Sequence, residues 1–394
     1  MPMRIAVPKE AEAGEGRVAA TPDTVKKFVG LGADVVVEPG AGVASGILDA
    51  DYQAAGATVA APGSDVLADA DIVLKVRRPA AAEIARTKRG AIVIATMDPY
   101  GADAALKAMA EAGLTAFAME LMPRITRAQV MDVLSSQANL AGYRAVVDAA
   151  AEFGRAFPMM MTAAGTVPAA KAFIMGAGVA GLQAIATARR LGAIVTATDV
   201  RPAAKEQVAS LGAKFVAVEN EEFKAAETAG GYAKEMSDAY KAAQAELVAS
   251  HIAKQDIVVT TALIPGRPAP RLVSAAMVES MKPGSIIVDL AVERGGNVEL
   301  AKPGEVVRHN GVTIVGHLNV PGRLAASASV LYAKNLYAFA ETMIDKSAKA
   351  LAVKWDDELV KATLLTRDGE VVHPNFQPKV AEAPVAATAP AAGA

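Results

Sequence analysis

The chain has 394 residues, which is too long for one compact hydrophobic core, so two domains are expected. A formal net charge of −2 and the absence of a long Lys/Arg cluster argue against a nucleic-acid partner. Cysteine is absent, which excludes disulfides, Cys-ligated zinc and thiol catalysis, and fits a reducing compartment.

The N-terminal stretch MPMRIAVPKE lacks the apolar core of a signal peptide. The longest nearly uncharged run, residues 156–188, is interrupted by prolines and glycines that divide it into strand and helix pieces. We therefore expect a soluble protein with no membrane span of its own. A metal site is not expected either.

The first third of the chain alternates short apolar strands with amphipathic helices. Thr21 and Pro22 predict a helix start, with Thr21 as the N-cap and Pro22 in the first helical position. Strands separated by helices of about ten residues indicate βαβ units and a parallel sheet. The predicted strands are residues 3–7, 33–38, 57–60, 70–76, 91–96 and 114–120.

Helical periodicity predicts one long helix from Ala128 to Phe157, and a second α/β unit begins after it. Another helix, residues 325–344, follows the last strand of that unit, and the simplest packing returns it to the first domain. The predicted strands of the second unit are residues 171–175, 193–199, 214–218, 256–263, 284–291 and 312–319.

These elements predict an α/β fold with two doubly wound, Rossmann-like domains, parallel sheets and a cleft between them. The first domain is predicted to be discontinuous and to contain residues 1–140 and about 321–378. The second is predicted to span residues 141–320. It contains the glycine-rich segment GAGVAG (176–181), which predicts that it is the NAD-binding domain and that the cleft holds the nucleotide. Residues 379–394 are rich in Ala and Pro and predict a disordered tail.

The segment GAGVAG places Gly176, Gly178 and Gly181 at the spacing G-x-G-x-x-G, between a predicted strand and a predicted helix. Gly176 permits the tight turn, Gly178 lets the backbone approach a pyrophosphate, and Gly181 allows close helix packing. Asp199 ends the next strand, where it would accept hydrogen bonds from the adenosine ribose and favour NAD over NADP. Arg201 weakens this preference, because an arginine there can accommodate a 2′-phosphate.

Residues 124–137 concentrate side chains that donate and accept hydrogen bonds, without an obvious nucleophile or general acid. Gln129, Asp132 and Ser135 have a spacing that would place them on one face of a helix. The residues alone leave two interpretations open. The segment is either a site that positions an amide head group, or a capped helix start with Thr126 as the N-cap.

The whole pattern resembles the NAD(H)-binding subunits (domain I, alpha-1 type) of proton-translocating nicotinamide nucleotide transhydrogenases. The resemblance runs from IAVPKE at residues 5–10 to HPNFQP at about residues 373–378. The stretches that carry it are MELMPRITRAQVMD (119–132), SSQANLAGYRAV (135–146), FPMMMTAAGTVP (157–168), GAGVAGLQAIATARRLGA (176–193), ATDVR (197–201), ETAGGYAKEM (227–236), TTALIPGRPAP (260–270) and GHLNVPGR (316–323).

In that family the stretch beginning PRI contacts the nicotinamide mononucleotide half of the cofactor. The resemblance therefore implies that Arg124, Gln129 and Asp132 position the nicotinamide without an acid/base role. It also implies a mobile loop, about residues 223–240, that closes over the nucleotide through Tyr232. The implied cofactor-binding residues are Arg124, Gln129, Asp132, Ser135, Gly176, Gly178, Val179, Ala180, Gly181, Asp199, Val200, Arg201, Gly231, Tyr232, Ala262 and Leu263.

The implied function is direct hydride transfer between NADH bound here and NADP+ on a partner subunit, coupled to proton movement through a membrane-spanning subunit. Hydride transfer requires two nicotinamide rings held face to face, and no proton moves in that step. A site rich in positioning groups and poor in acid/base groups fits this chemistry. The resemblance also implies a homodimer and a cytoplasmic location, peripheral on the inner membrane through the partner subunits.

Alanine dehydrogenases share this fold and provide the main alternative. They bind the substrate carboxylate with an Arg and a Lys, which correspond to Arg17 and Lys75, but their acid/base His is absent where strand 91–96 runs into MDPYG. Glu293 also stands where they carry an Asp. We therefore expect Arg17 and Lys75 to be relics or structural ion-pair partners. An NAD-binding module without turnover is the third alternative.

Overall fold

The computed structural model describes residues 2–226 and 236–377. The predicted closing residues Gly231 and Tyr232, and the predicted tail 379–394, lie outside these ranges. Across the ranges that are described, no helix is long and apolar enough to cross a membrane.

The first sheet contains, among the described residues, eight strands, and six of them are parallel. The parallel strands lie in the spatial order Thr115–Ala118, Ile92–Thr96, Ile72–Arg77, Arg4–Val7, Asp34–Val37 and Thr58–Val59. Two antiparallel strands, Leu364–Arg367 and Glu370–Val371, extend the sheet beside Thr115–Ala118. Both ends of the chain therefore contribute to this sheet.

Helices cover both faces of the first sheet, and the C-terminal helix Ala325–Glu341 fills its core. Phe339 of this helix makes an edge-to-face contact with Phe117, with ring centroids 5.5 Å apart. The buried Tyr332 hydroxyl donates to the carbonyl of Lys75 at 3.0 Å, and the amide of Thr96 donates to it at 2.9 Å. The other helices of this unit are Pro22–Gly30, Asp49–Ala54, Ala81–Arg86, Asp103–Glu111 and Glu358–Thr363.

The second sheet has seven strands in the described part of the chain. Its spatial order is Lys214–Phe215, Ile194–Thr198, Lys171–Met175, Ile257–Thr260, Ile286–Asp289, Val312–Val315 and the antiparallel Val306–His309. Its helices are Val133–Glu152, Val179–Arg190, Ala204–Ser210, Glu221–Lys224, Asp238–Ile252 and Ala275–Glu279. The parallel strands have the order of doubly wound dinucleotide-binding sheets, and the predicted α/β fold class is confirmed.

The predicted long helix 128–157 is wrong at both ends. A 3-10 helix covers Thr126–Met131, and the α-helix runs from Val133 to Glu152. The break falls at Asp132, whose backbone is extended and whose carboxylate accepts from the Ser135 amide at 2.8 Å. An Asp that caps a helix satisfies an otherwise unpaired N–H, so it starts a new helix rather than continuing one.

Two β-hairpins are among the features that were not predicted. Leu364–Arg367 and Glu370–Val371 are joined by Asp368 and Gly369, which both have positive φ. An Asp-Gly pair is a strong hairpin signal, so the sequence contained this information. The second hairpin pairs Met160–Thr162 with Gly165–Val167 and exposes both strands. Predicted strand 214–218 is also too long, since only Lys214–Phe215 pairs with its neighbour.

Candidate nucleotide site

The glycine turn lies at the carboxyl end of the central strand Lys171–Met175, where ligands bind in open α/β sheets. Gly176 has a φ of 102°, which side chains rarely adopt. A Cβ on Gly181 would lie 1.8 Å from the Gly176 carbonyl oxygen, so the helix approaches the turn closely. Thr261 fixes the same carbonyl by donating its hydroxyl at 3.1 Å.

Gly178 differs from its two neighbours in the motif. It precedes the 12-residue helix Val179–Arg190, and a Cβ built on it meets no atom within 4 Å. The space beside Gly178 is therefore open, and the first turn of the helix, with Val179 and Ala180, has amides that lack partners within the helix. Such a helix start favours an anionic group such as a phosphate, because amides and the helix dipole both favour negative charge.

Asp199 follows strand Ile194–Thr198, and its carboxylate is buried among donors. Its Oδ2 accepts from the Ala177 amide at 2.7 Å, which ties it to the glycine turn. Its Oδ1 accepts from the Arg201 amide and Nε, both at 2.9 Å, and Oδ2 accepts from Arg201 Nη2 at 3.0 Å. Val200 between them is exposed. Arg201 therefore covers the carboxylate oxygens on which ribose recognition would depend.

Ala262 and Leu263 follow strand Ile257–Thr260 at the other side of the central strand. The backbone of Ala262 is held by Asn297, a residue that sequence analysis missed. Its Oδ1 accepts from the Ala262 amide at 3.0 Å, and its Nδ2 donates to the Ala262 carbonyl at 2.9 Å. Asn297 is fully buried, so its two hydrogen bonds hold the backbone of Ala262 in place. The next residue, Leu263, is exposed.

Helix Val133–Glu152 packs across the first turn of helix Val179–Arg190, which we call the glycine helix. A Cβ on Gly142 would lie 2.0 Å from the Ala180 carbonyl oxygen, so the two backbones touch. Asn139 lies one turn earlier and donates to Gln183 at 3.3 Å. Ser135 lies two turns before Gly142, about 10 Å along the axis and on the same face. The start of this helix therefore lies on the side that faces the glycine helix.

The predicted nicotinamide-positioning residues lie at this helix start. Arg124 and Gln129 are exposed, and Gln129 belongs to the 3-10 helix. Asp132 accepts from both the amide of Ser135 at 2.8 Å and its hydroxyl at 2.5 Å. The N-cap of the 3-10 helix is Ile125, so the alternative with Thr126 in that role is wrong.

The neighbouring Arg127 has a structural role. It makes a bidentate pair with Asp357, at 2.7 and 2.8 Å, which fastens the segment to the start of helix Glu358–Thr363. Buried Asn335 fixes the same segment by donating to the Val130 carbonyl at 2.8 Å and accepting from the Ser136 hydroxyl at 2.7 Å. The 124–137 stretch thus combines structural anchors with polar groups that remain exposed.

Arg17 and Lys75 both lie buried in ion pairs. Arg17 binds Glu15 through Nε at 2.8 Å and Nη2 at 2.6 Å, and Lys75 binds Glu83 at 2.7 Å and Glu10 at 3.3 Å. The expectation that these cations are ion-pair partners is confirmed. Burial raises the pKa of Glu15, but the hydrogen bonds and charge of Arg17 outweigh it, and the net pKa is lowered. The Glu15 carboxylate is therefore held in its charged form against Arg17.

The chain's four histidines stand at sequence positions other than the strand end at residues 96–97. His251 shares a hydrogen bond with the Thr196 hydroxyl at 2.8 Å, and burial lowers its pKa. His309 contacts Glu279 at 3.0 Å on the antiparallel edge strand. His317 follows the last parallel strand, and His373 follows the C-terminal hairpin. None of the four therefore occupies the sequence position at which the alanine dehydrogenases carry their acid/base His.

Two models of one protein family match this chain, and together they cover most of it. Residues 6–141 match the family described as alanine dehydrogenase/PNT, N-terminal domain, and residues 145–374 match its C-terminal domain. The chain belongs to the alanine dehydrogenase/PNT family.

Within the alanine dehydrogenase/PNT family the chain is similar to transhydrogenase subunits. It is 57% identical over 377 residues to the first segment of NAD(P) transhydrogenase subunit alpha of Rhodospirillum rubrum, covering 94% of this chain and 98% of the relative. A crystal structure of transhydrogenase from Sinorhizobium meliloti is 65% identical, with a TM-score of 0.86, covering 94% of this chain and 100% of that chain. The alanine dehydrogenase of Halomonas elongata is 30% identical over 380 residues, covering 94% and 95%. The chain is thus an oxidoreductase subunit of the transhydrogenase type.

Proposed function

We propose that the chain is the NAD(H)-binding subunit of a proton-translocating transhydrogenase. It would hold NAD(H) for direct hydride transfer to or from NADP(H) on a partner subunit, coupled to proton movement through a membrane-spanning subunit. The observation that carries the proposal is the glycine turn, where open space at Gly178 meets the N-terminus of a 12-residue helix. A separate NADP(H)-binding partner is required, because hydride transfer needs two nicotinamide rings.

The bound nicotinamide would supply or accept the hydride, and this chain would bind, orient and shield it. Gly176, Gly178, Val179, Ala180 and Gly181 would form the pyrophosphate cradle. Asp199, Val200 and Arg201 would contact the adenosine ribose. Arg201 would either share the Asp199 carboxylate with the ribose hydroxyls or move away from it. The remaining proposed contacts are Arg124, Gln129, Asp132, Ser135, Gly231, Tyr232, Ala262 and Leu263.

The alanine dehydrogenase alternative requires a cation that is available to a substrate carboxylate. Arg17 instead holds the internal Glu15 carboxylate, which is fully buried, and Lys75 already contacts two carboxylates. An incoming carboxylate would have to displace Glu15 from Nε and Nη2 of Arg17, and removing the partner of a buried cation costs free energy. This argues against oxidation of free amino acids.

The partner subunits would also set the location of the protein, which we propose to be cytoplasmic and peripheral on the inner membrane. A second copy of the chain is the further expected partner. The hairpin Met160–Thr162 with Gly165–Val167 pairs with no other strand in the described ranges. It exposes Met159, Met160 and Met161, the last at 76%. Isolated two-stranded hairpins are only marginally stable in water, so a dimer that covers this one is favoured.

Replacement of Met161 with Asp should convert the proposed dimer to a monomer. A charge at the centre of an apolar contact is desolvated without a partner, which weakens association by more than about tenfold. Sedimentation over a range of concentrations measures the dissociation constant, and Met161→Leu serves as the matched control. A monomeric wild-type protein, or a Met161→Asp protein that remains dimeric, would contradict this proposal.

The function is tested first by nucleotide binding to the isolated chain. Titration followed by NADH fluorescence should show a strong preference for NADH over NADPH, and Asp199→Ala should reduce that preference. Adding the NADP(H)-binding subunit with a nucleotide pair should then give hydride exchange that neither protein supports alone. Pyruvate with ammonia is the control for the alanine dehydrogenase alternative.

The possible outcomes separate the three functions. Oxidation of NADH by pyruvate and ammonia, with this chain alone, would replace the proposal with an amino-acid dehydrogenase. Tight NADH binding without exchange in the presence of both partner subunits would indicate a binding module. Exchange that requires the partner and prefers NADH on this chain supports the transhydrogenase function.

A further inference from the structure

A salt bridge links the two α/β units. Asp98 follows strand Ile92–Thr96 of the first sheet, and Arg294 lies in the 3-10 turn Val292–Arg294 after a strand of the second sheet. The distance from Arg294 Nη2 to Asp98 Oδ1 is 2.6 Å. Both side chains are about half exposed, at 49% and 48%. The pair therefore lies between the units and in reach of solvent.

The turn that carries Asp98 is strained and held from both sides. Asp98 has a φ of 45°, an uncommon backbone conformation for a residue other than glycine. Its amide and that of Met97 donate to the Glu120 carboxylate, and their carbonyls accept from Arg78 Nη1 at 2.8 and 2.5 Å. A strained turn whose backbone is bonded on both sides is fixed in one conformation, and such strain often accompanies function.

A second contact between the units lies next to the salt bridge. A Cβ built on Gly266 would lie 2.5 Å from Cε1 of Tyr100 and 2.7 Å from Cδ1, so the tyrosine ring rests directly on this glycine. Gly266 has a φ of 70°. On its other side the Tyr100 ring makes an edge-to-face contact with Phe376, with centroids 5.0 Å apart. The ring is thus supported by its own unit while it covers the loop of the other.

Gly266 and Arg294 both belong to the structure that surrounds Ala262. Asn297, three residues after Arg294, holds the amide and carbonyl of Ala262. The Arg294 carbonyl accepts from the Ala269 amide at 2.7 Å, which closes the other end of the 262–269 loop. The first unit therefore contacts this loop at Gly266 and contacts the segment that braces it at Arg294.

The position of the 262–269 loop in the sheet indicates which half of a dinucleotide it faces. The loop follows strand Ile257–Thr260, and Asp199 follows strand Ile194–Thr198. These strands flank the central strand Lys171–Met175 on opposite sides. Because Asp199 marks the adenosine side, the loop lies on the nicotinamide side.

We infer that Asp98, Tyr100 and Arg294 form an interdomain clamp that positions the 262–269 loop against the nicotinamide half of the bound dinucleotide. These are positioning residues, since they act through the loop rather than on the nucleotide. The inference rests on the proposed function only for the identity of the ligand. The clamp itself is a property of the protein without nucleotide.

The clamp is tested with variants that remove each contact and preserve the strained turn. Asp98→Asn keeps a residue that tolerates positive φ and loses the charge. Arg294→Gln removes the other charge, Tyr100→Ala removes the ring, and Tyr100→Phe keeps it. Arg308→Gln, on the exposed antiparallel edge strand, is the control for loss of one positive charge.

Affinities for NADH and for 5′-AMP separate positioning from general damage. Tyr100→Ala should weaken the affinity for NADH about tenfold through faster dissociation, since small displacements of positioning groups are costly. Arg294→Gln and Asp98→Asn should each weaken NADH affinity about threefold, as expected for a half-exposed pair. The double variant should bind NADH as well as either single variant, because both substitutions remove the same contact. Tyr100→Phe and Arg308→Gln should match wild type, and 5′-AMP binding should change less than about twofold in all variants. Equal losses for both ligands, or additive losses in the double variant, would overturn the clamp.

Amide hydrogen exchange of the free protein tests the clamp without any nucleotide. The backbone amides of the non-proline residues in 262–269 should exchange at least about fivefold faster in Tyr100→Ala than in Tyr100→Phe, because the ring no longer covers the loop. Unchanged exchange there would overturn the clamp even if NADH binds as proposed. Faster exchange in a protein whose wild type does not bind NADH would instead contradict only the proposed function.

Discussion

Replacement of Gly178 with Asp should reduce NADH affinity by at least about 100-fold while the melting temperature stays the same or rises. A side chain at this position meets no protein atom within 4 Å, and the residue precedes the helix Val179–Arg190 with a φ of −74°. Asp is a favoured N-cap in such a conformation, so the fold is not harmed. Its negative charge and bulk would occupy the cradle that the pyrophosphate requires.

Calorimetric titration with NADH and thermal unfolding, measured on the same preparation, check this prediction. Gly178→Ser is the matched control, because it caps the helix without a charge and should lose less affinity than Asp. In Gly181→Ala, by contrast, the new Cβ would lie 1.8 Å from the Gly176 oxygen, so stability and binding should fall together. Wild-type NADH affinity in the Gly178→Asp protein would show that the nucleotide binds elsewhere.

Replacement of Gly142 with Ala should destabilise the second α/β unit by about 3 kcal/mol and lower its melting temperature by about 10 °C. The added Cβ would lie 2.0 Å from the Ala180 oxygen and 2.8 Å from its carbonyl carbon. Backbone atoms cannot rotate away as a side chain can, so the two helices must separate. This loss exceeds the roughly 1 kcal/mol that Ala gains over Gly inside a helix.

Thermal unfolding with a probe of the second unit measures the effect. Gly30→Ala is the control, since Gly30 ends an α-helix and a Cβ there meets nothing within 4 Å. That variant should be neutral or slightly stabilised. NADH affinity of Gly142→Ala should also fall, because Ala180 lies in the first turn that forms the cradle. A Gly142→Ala protein as stable as Gly30→Ala would mean that the helices are not in contact in solution.

Sequence analysis predicted the features that depend on local periodicity. The strand 171–175 was placed without error, and a helix after the glycine turn was predicted correctly, although it begins inside the glycine motif, at Val179, and not after it. The boundary at Asp132 was missed, because the apolar residues before and after it follow the helical period and only the carboxylate interrupts it. Thr21 was correctly assigned as an N-cap since Pro22 marks the first helical position.

The parts of the site that the sequence did not predict depend on residues far apart in the chain. Asn297 binds Ala262, which is 35 positions away in the sequence, and Asp98 binds Arg294, which is 196 positions away. No spacing rule connects such residues, since only the sheet order brings them together. Arg201 was recognised beside Asp199, but its bidentate pairing was not, because side-chain rotamers are set by the folded surroundings.

The origin of the first sheet from both ends of the chain affects how the protein forms during synthesis. Strand Leu364–Arg367 and helix Ala325–Glu341 leave the ribosome after every strand of the second sheet has been made. Until then the edge strand Thr115–Ala118 has an unpaired side and the core around Phe117 lacks Phe339. Exposed edges and incomplete cores promote aggregation, so the nascent N-terminal segment is the part of this protein for which protection by chaperones would matter.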